Sequence, residues 1–337
     1  MEVVIANIKE VAEKAGVSVS TVSHVINGTR YVSDELSEKV LSAMERLNYK
    51  PNLVARSLRR KQTNSMGLIV ADISNPFFSE MARHVEYLAN LQNYSVILCN
   101  SGGDAAKEEF YIHRLQELQV DGIIVVSSSI QPSRLNKLMD KDIPLILVDM
   151  EYPGYEIDSI SVDNIQGGEI AVNHLIELGH CKIACIAGLR EYSPSEGRLD
   201  GYRLALRKAG IEVDESLIFL GDFSIANGFS AAQKILAMEN PPTAIFASCD
   251  LIAIGAMRAA FNMGIQIPKD LSIIGFDDIF ISQFINPTLT TVKQPIIEMA
   301  DEAVNCLMDR MRDPEKMVRS IRVNVGLIDR ESTTRLV

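Results

Sequence analysis

Residues 7–28 read NIKEVAEKAGVSVSTVSHVING, and this stretch decides what kind of molecule the chain is. Ile8, Val11, Ala12 and Ala15 recur at helical spacing, so a short amphipathic helix is expected over them. Asn7 stands at its N-cap, and Gly16 can adopt the left-handed conformation that ends it. Ser18 then caps a second helix, Val19 to Ile26, with Val22, Val25 and Ile26 turned inward, and Asn27-Gly28 breaks it. Two helices joined by a tight Gly-containing turn make a helix-turn-helix, whose second helix can enter the major groove of DNA. Its outward face would carry Val19, Ser20 and His24. A valine can touch a thymine methyl, a serine can bond a base edge, and a histidine can donate to a purine acceptor. Ser18, Thr21, Ser23 and Asn27 are short polar groups suited to phosphates. Asn7, beside the free N–H groups of the first helix, suits the same purpose.

The segments that follow separate this reading from a three-helix module that binds only protein. Ser33 is placed to cap a third helix with a buried stripe of Leu36, Val40, Ala43, Met44 and Leu47. Next comes YKPNLVARSLRRK, residues 49–61, a basic linker in which Val54 and Leu58 form one short apolar stripe. So short a helix does not fold alone, so a second copy is needed beside it. Leu58 could then wedge into a base step from the minor groove. Arg59, Arg60 and Lys61 are within reach of phosphates. The whole chain carries a net charge of −11, yet residues 1–61 carry +3, leaving −14 for the remainder. Any polyanion contact therefore belongs to the N-terminus.

From Ser65 the pattern changes. Runs rich in Val and Ile alternate with helical segments: Met66–Ile73, Val96–Cys99, Gly122–Val126, Pro144–Val148, Ile160–Val162, Ile183–Ala187, Ile218–Leu220, Ala244–Ala247 and Ile273–Phe276. Continuous apolar strands between helices imply parallel sheets covered on both faces. Nine runs are many for one sheet, so an α/β core of two doubly wound lobes is expected, with ligands between the carboxyl ends of their strands. The division expected is a helix-turn-helix domain over 1–48, a hinge over 49–64, and an effector-binding and dimerisation core over 65–337. Within that core the first lobe takes about 65–163 and 295–325, and the second about 164–294 and 326–337.

No run of apolar residues is long enough to span a membrane, and Met1 to Lys14 lacks the basic start and apolar stretch of a secretion signal. A cytoplasmic protein is expected. The five cysteines, Cys99, Cys181, Cys185, Cys249 and Cys306, are odd in number and form no CxxC pair, which suits reduced core thiols. Only five histidines occur, and no HExxH, GxSxG or GxxxxGK[ST] motif, so an enzyme is not expected and neither metal nor cofactor is implied. Gly102-Gly103 and Gly167-Gly168 read as turns. An exported solute-binding protein would share the core, but residues 1–61 would have no use in it.

These features together resemble the LacI/GalR family of bacterial repressors over nearly the whole chain. The head motif, ARSL (Ala55 to Leu58), ISNPFF (Ile73 to Phe78), VDGIIV, GFDD (Gly275 to Asp278) and LTTVKQP (Leu289 to Pro295) carry the likeness, which is nearest to the ribose- and purine-repressor branch. The resemblance implies a homodimer on a palindromic operator. It also implies Leu58 and its dimer mate at the central base step, Ala55 and Arg59 along the minor groove with Ser57 a further DNA-binding candidate, and a core like that of periplasmic sugar-binding proteins. Carried over residue by residue, it implies an effector site of Asn75, Phe77, Phe78, Asp149, Arg198, Phe223, Asp277 and Gln294, with Asp250 a weaker member. Chemically the set is coherent: carboxylates accept from hydroxyls, Arg and Gln donate, and Phe rings give flat apolar walls. One position departs. Ribose-binding relatives place Asn before the Asp at 250, and here it is Cys249, a poor partner for a hydroxyl. A sugar or sugar derivative is the expected effector; Cys249 weighs against ribose, and the acidic pair Asp149 and Asp277 weighs against a purine. Some relatives instead take a phosphorylated carrier protein on the helix near Phe78 to Leu91, where Arg83, His84 and Tyr87 would meet it.

Overall fold

A computed structural model of the chain describes residues 7–28, 30–49, 62–126, 130, 134, 143–150, 152, 154–188 and 193–336. They fall into two compact units, divided between Thr63 and Asn64. The residues expected to form the hinge contacts, Ala55, Ser57, Leu58 and Arg59, lie outside the described residues.

In the first unit, α1 (Ile8–Ala15), α2 (Val19–Asn27) and α3 (Asp34–Arg46) bury Val11, Ala12, Val22, Val40 and Ala43 against one another. Asn7 and Glu10 cap α1 reciprocally, and Gly16 closes it at φ 69°. Ser18 caps α2 by accepting from the Thr21 N–H at 3.0 Å. Ser33 stands at the start of α3 but its side chain makes no capping bond, contrary to expectation. Asp34 and Glu35 in the first turn serve the positive helix end instead.

The second unit is built on two six-stranded sheets. The first lobe begins with β1 (Ser65–Val70), α4 (Pro76–Leu91), β2 (Ser95–Asn100), α5 (Ala105–Glu117), β3 (Gly122–Val126), β4 (Leu145–Val148) and β5 (Asp158–Val162). The second lobe takes α6 (Asn164–Glu177), β6 (Ile183–Gly188), α7 (Ser193–Lys208), β7 (Ile218–Gly221), α8 (Ile225–Leu236), β8 (Ala244–Ala247), α9 (Asp250–Asn262), β9 (Ser272–Asp277) and β10 (Thr290–Lys293). The chain then returns for α10 (Ile296–Arg312) and β11 (Ser320–Val323) and crosses again for β12 (Gly326–Ile328). Strand order is β11-β5-β4-β3-β1-β2 in one sheet and β12-β10-β9-β8-β6-β7 in the other. Every pairing is parallel except β12 on β10.

All nine apolar runs contain a strand, and three further strands were not anticipated. β10 (Thr-Thr-Val-Lys) and β11 (Ser-Ile-Arg-Val) are four residues long and β12 (Gly-Leu-Ile) three, too short to stand out as apolar runs. Gly102-Gly103 is a turn, with φ of 70° and 71°. Gly167-Gly168 is not: both lie buried inside α6. A Cβ on Gly168 would come within 2.2 Å of the Arg198 carbonyl, and one on Gly201 within 2.2 Å of the Ile165 carbonyl. These glycines let α6 and α7 touch backbone to backbone, which fixes where Arg198 emerges. Of the cysteines, Cys185, Cys249 and Cys306 are buried and Cys99 is half-buried, but Cys181 is exposed. Among the described residues no helix is long and apolar enough to cross a membrane.

Candidate functional site

Two sites follow, one in each unit. In the head, Val19 and Ser20 are exposed at the start of α2 and His24 is half-exposed one turn later. The short polar groups are more engaged than the sequence suggests. Asn7 accepts from the Lys9 and Glu10 N–H groups and donates Nδ2 to Glu10 Oε1 at 3.0 Å. Ser18 and Thr21 share a bond of 2.9 Å, and Asn27 Nδ2 donates to the Ser23 carbonyl at 2.7 Å. These groups spend their polar atoms on the helices that present Val19, Ser20 and His24.

In the core, a cleft of about 620 Å³ lies between the strand ends of the two sheets. Of the nine residues expected there, eight line it: Asn75, Phe77, Phe78, Asp149, Arg198, Phe223, Asp277 and Gln294. Asn75 caps α4, accepting from the Phe77 N–H at 3.0 Å, so that α4 projects Phe77 and Phe78 at the cleft. Their rings meet edge to face, with centroids 5.2 Å apart. Asp149 follows β4 at φ 59°, and Asp277 ends β9 at φ 113°. Neither conformation suits a side chain bearing a Cβ, and such strain gathers at functional positions.

Asp250 does not belong with them. It is fully buried at the start of α9 and its carboxylate points away from the cleft. Both oxygens are occupied, Oδ2 by the Ile279 N–H and the Ser282 hydroxyl and Oδ1 by the Thr291 hydroxyl. Its neighbour Cys249 does line the cleft, with its thiol 4.0 Å from the Phe223 carbonyl.

The polar centre is Arg198. Its Nε donates to Asn164 Oδ1 at 2.8 Å, and its Nη1 donates to the Ser248 carbonyl at 2.7 Å and lies 3.3 Å from Asp277 Oδ1. The guanidinium stacks 3.9 Å above the Phe276 ring. Gln294 Nε2 donates to Asp277 Oδ1 at 2.7 Å. Asn164, Ser248 and Phe276 escaped the sequence reading because they touch Arg198 rather than lead it. Only the place of Phe276 inside GFDD hinted at it. Burial pushes Asp277 up to about 6, against the opposing pull of Arg198 and Gln294. Burial pushes Asp149 further, to about 7, with Arg198 lowering it and Asp277 raising it. Two acceptors in the cleft, Asp149 Oδ1 and Gln294 Oε1, are buried without a hydrogen-bond partner. Such atoms are costly unless a ligand or water meets them, so the cleft is built to receive hydroxyl or N–H donors.

Comparison with known proteins agrees with a regulatory head joined to a binding-protein-like core. Residues 7–52 match bacterial regulatory proteins of the lacI family, and residues 172–333 match a periplasmic binding protein-like domain. The chain is 39% identical over 333 residues to the HTH-type transcriptional repressor PurR of Vibrio atlanticus (strain LGP32), covering 98% of this chain and 99% of that one. It is 28% identical to the lac repressor dimer bound to operator and the anti-inducer ONPF, with a TM-score of 0.88 over 98% of this chain and 99% of that one. It is 33% identical to a LacI family transcriptional regulator from Enterococcus faecium with bound ribose, with a TM-score of 0.74 over 81% of this chain and 100% of that one. With its helix-turn-helix head, its two-lobed core and this extent of likeness, the chain belongs to the LacI family of bacterial regulatory proteins.

Proposed function

We propose that this regulator works as a homodimer on a palindromic operator, with its DNA affinity set by a sugar or sugar derivative held in the cleft. The observation that carries the effector reading is the set of buried acceptors, Asp149 Oδ1 and Gln294 Oε1, beside Arg198 and facing the rings of Phe77, Phe78 and Phe223. Adjacent hydroxyls on a ring with apolar faces supply what those groups lack. The ribose bound to the Enterococcus relative supports the same chemical class. Cys249 in the lining places a weak hydrogen-bonding group where a further hydroxyl would gain nothing, which favours an effector with a less polar edge there.

Exposed apolar side chains support the homodimer. Tyr87, Leu91, Leu98 and Phe110 stand out from α4, β2 and α5, and Phe261, Phe280 and Phe284 from the second lobe. Patches of this kind on a soluble chain mark association surfaces. Two heads related by a two-fold axis read two related half-sites, and Leu58 with its mate is proposed to wedge the step between them. Leu58→Ala should therefore weaken operator binding in a gel-shift titration without changing effector affinity; an unaltered operator affinity would remove the wedge. His24→Ala should relax preference at one base of each half-site by about 1–3 kcal/mol in a binding-site selection.

The effector reading is tested by thermal shift of the purified protein against pentoses, hexoses, sugar phosphates and purines, since a ligand of the folded state raises the melting temperature. A sugar that stabilises the chain supports it. A purine would replace the sugar while leaving the regulator intact. If nothing binds, the corepressor is instead a phosphorylated carrier protein on α4. Arg83 and Tyr87 are exposed there, and a pull-down on an Arg83→Ala variant would decide it.

A further inference from the structure

We infer that Asp250 is a positioning residue of the effector site: it holds the Asp277–Asp278 turn in the conformation that aims Asp277 into the cleft. The inference rests on the effector reading for its purpose, but not for its geometry. Asp277 at φ 113° and Asp278 at φ 58° are consecutive residues in unfavourable backbone regions. Each such residue costs on the order of 1–3 kcal/mol and persists only where its surroundings fix it. Arg330 fixes one of them, donating to Asp278 Oδ1 at 2.6 Å. The partners of Asp250 surround the other. The Ile279 N–H at 2.9 Å and the Ser282 hydroxyl at 2.6 Å come just after the turn. The Thr291 hydroxyl at 2.6 Å comes from β10, in register with Gly275 just before it. Gly275 makes room for the carboxylate, because a Cβ there would sit 2.2 Å from Asp250 Oδ1.

An apolar residue there would leave the Ile279 N–H and the Ser282 and Thr291 hydroxyls buried without this acceptor. Burial and the nearby charge of Asp277 push Asp250 up to about 7, against the opposing pull of its Ser282, Thr291 and Ile279 donors. By accepting from residues on both sides of the turn, the carboxylate ties its two ends together. Asp250 touches neither the cleft nor its contents, so it acts through Asp277.

The test is backbone hydrogen exchange on the full-length chain without ligand. In Asp250→Ala the amides of residues 278–284 should exchange about tenfold faster, while those of β6 stay as in the wild type. Asp250→Asn keeps an acceptor for the Ile279 N–H and the Ser282 hydroxyl, and should restore protection to within about threefold. Thr291→Val removes one donor and leaves Asp250 in place, and should fall between them. A uniform rise across β6 and the turn in both Asp250→Ala and Thr291→Val would make Asp250 an ordinary core residue and overturn the inference, as would no rise in either. D-ribose is then titrated into the same proteins. Failure of D-ribose to bind the wild type would agree with Cys249 disfavouring ribose and would leave the positioning inference standing, because the exchange measurement uses no ligand.

Discussion

The two lobes each present an aspartate to the same cleft from the end of a central strand, yet the two are supported in opposite ways. Asp277 is bonded by Gln294 and Arg198, and Arg198 is itself held by Asn164, the Ser248 carbonyl and the Phe276 ring. Its turn is braced from behind by Asp250 and Arg330. Asp149 is fixed through its backbone, where its N–H donates to the Ile160 carbonyl at 2.8 Å, while its Oδ1 is buried without a partner. Asp277 is bonded before a ligand arrives and Asp149 is left wanting, although Gln294 Oε1 on the second lobe is unmet as well. Preorganisation on the second lobe gives affinity, because little ordering remains to be done on binding. The unpaired acceptor on the first lobe is met only when a ligand or water donates to it.

The comparison is broken most severely at Arg198. Arg198→Ala removes the cation between the two carboxylates and leaves Asp277 buried without its ion pair, whose side chains are 4% and 7% exposed. Breaking such a pair costs about 3–5 kcal/mol, and the urea midpoint of the core should fall accordingly. A loss below about 1 kcal/mol would mean that the second lobe is not prebuilt around this residue.

Asp277→Asn is milder. It keeps the shape, loses the charge, and should weaken effector binding by about 1.5–3 kcal/mol in calorimetric titration, with operator binding by the unliganded protein intact. Asp149→Asn should cost less, about 0.5–1.5 kcal/mol, because an amide oxygen still faces the ligand. Equal losses at the two positions would erase the distinction between them.

Much of this was legible in the sequence, for a physical reason. Parallel strands are buried on both faces, so they are written as apolar runs, and helix caps carry their own residue types. The closing strands β10, β11 and β12 are three or four residues long, and the buried Thr290 and Thr291 of β10 meet a hydroxyl and a carboxylate rather than apolar groups, so no run announced them. Eight cleft residues could be placed because the motifs that carry the family resemblance contain them, several at the end of a strand or the start of a helix, as Asp149, Asp277, Phe77 and Phe78 are. Asp250 satisfied the same pattern and still points elsewhere. Whether a side chain at a helix start turns to the cleft or to the next strand depends on Gly275, 25 residues further along the chain. Such a choice is made by packing, and no local signal carries it.

The finest test of the comparison is the proton on Asp149. In the unfolded chain its carboxyl titrates near the ordinary 3.8, and in the fold near 7, with Arg198 and Asp277 the charges that face it. Between those values the native state holds a proton that the unfolded chain has lost. Stability from this group is therefore greatest at the acid end, declines as pH rises from about 4 to 7, and is level above. Asp277 slopes the same way but levels near 6. Ligand hydroxyls donating to the ionised Asp149 favour its charged form, so binding expels the proton and affinity should climb between pH 6 and 7.5. Asp149→Asn should flatten both that climb and the fall in stability over the same interval, measured as melting temperature against pH with and without effector. A climb that survives Asp149→Asn would assign the proton to Asp277, and the unfinished half of the site would then be the second lobe rather than the first.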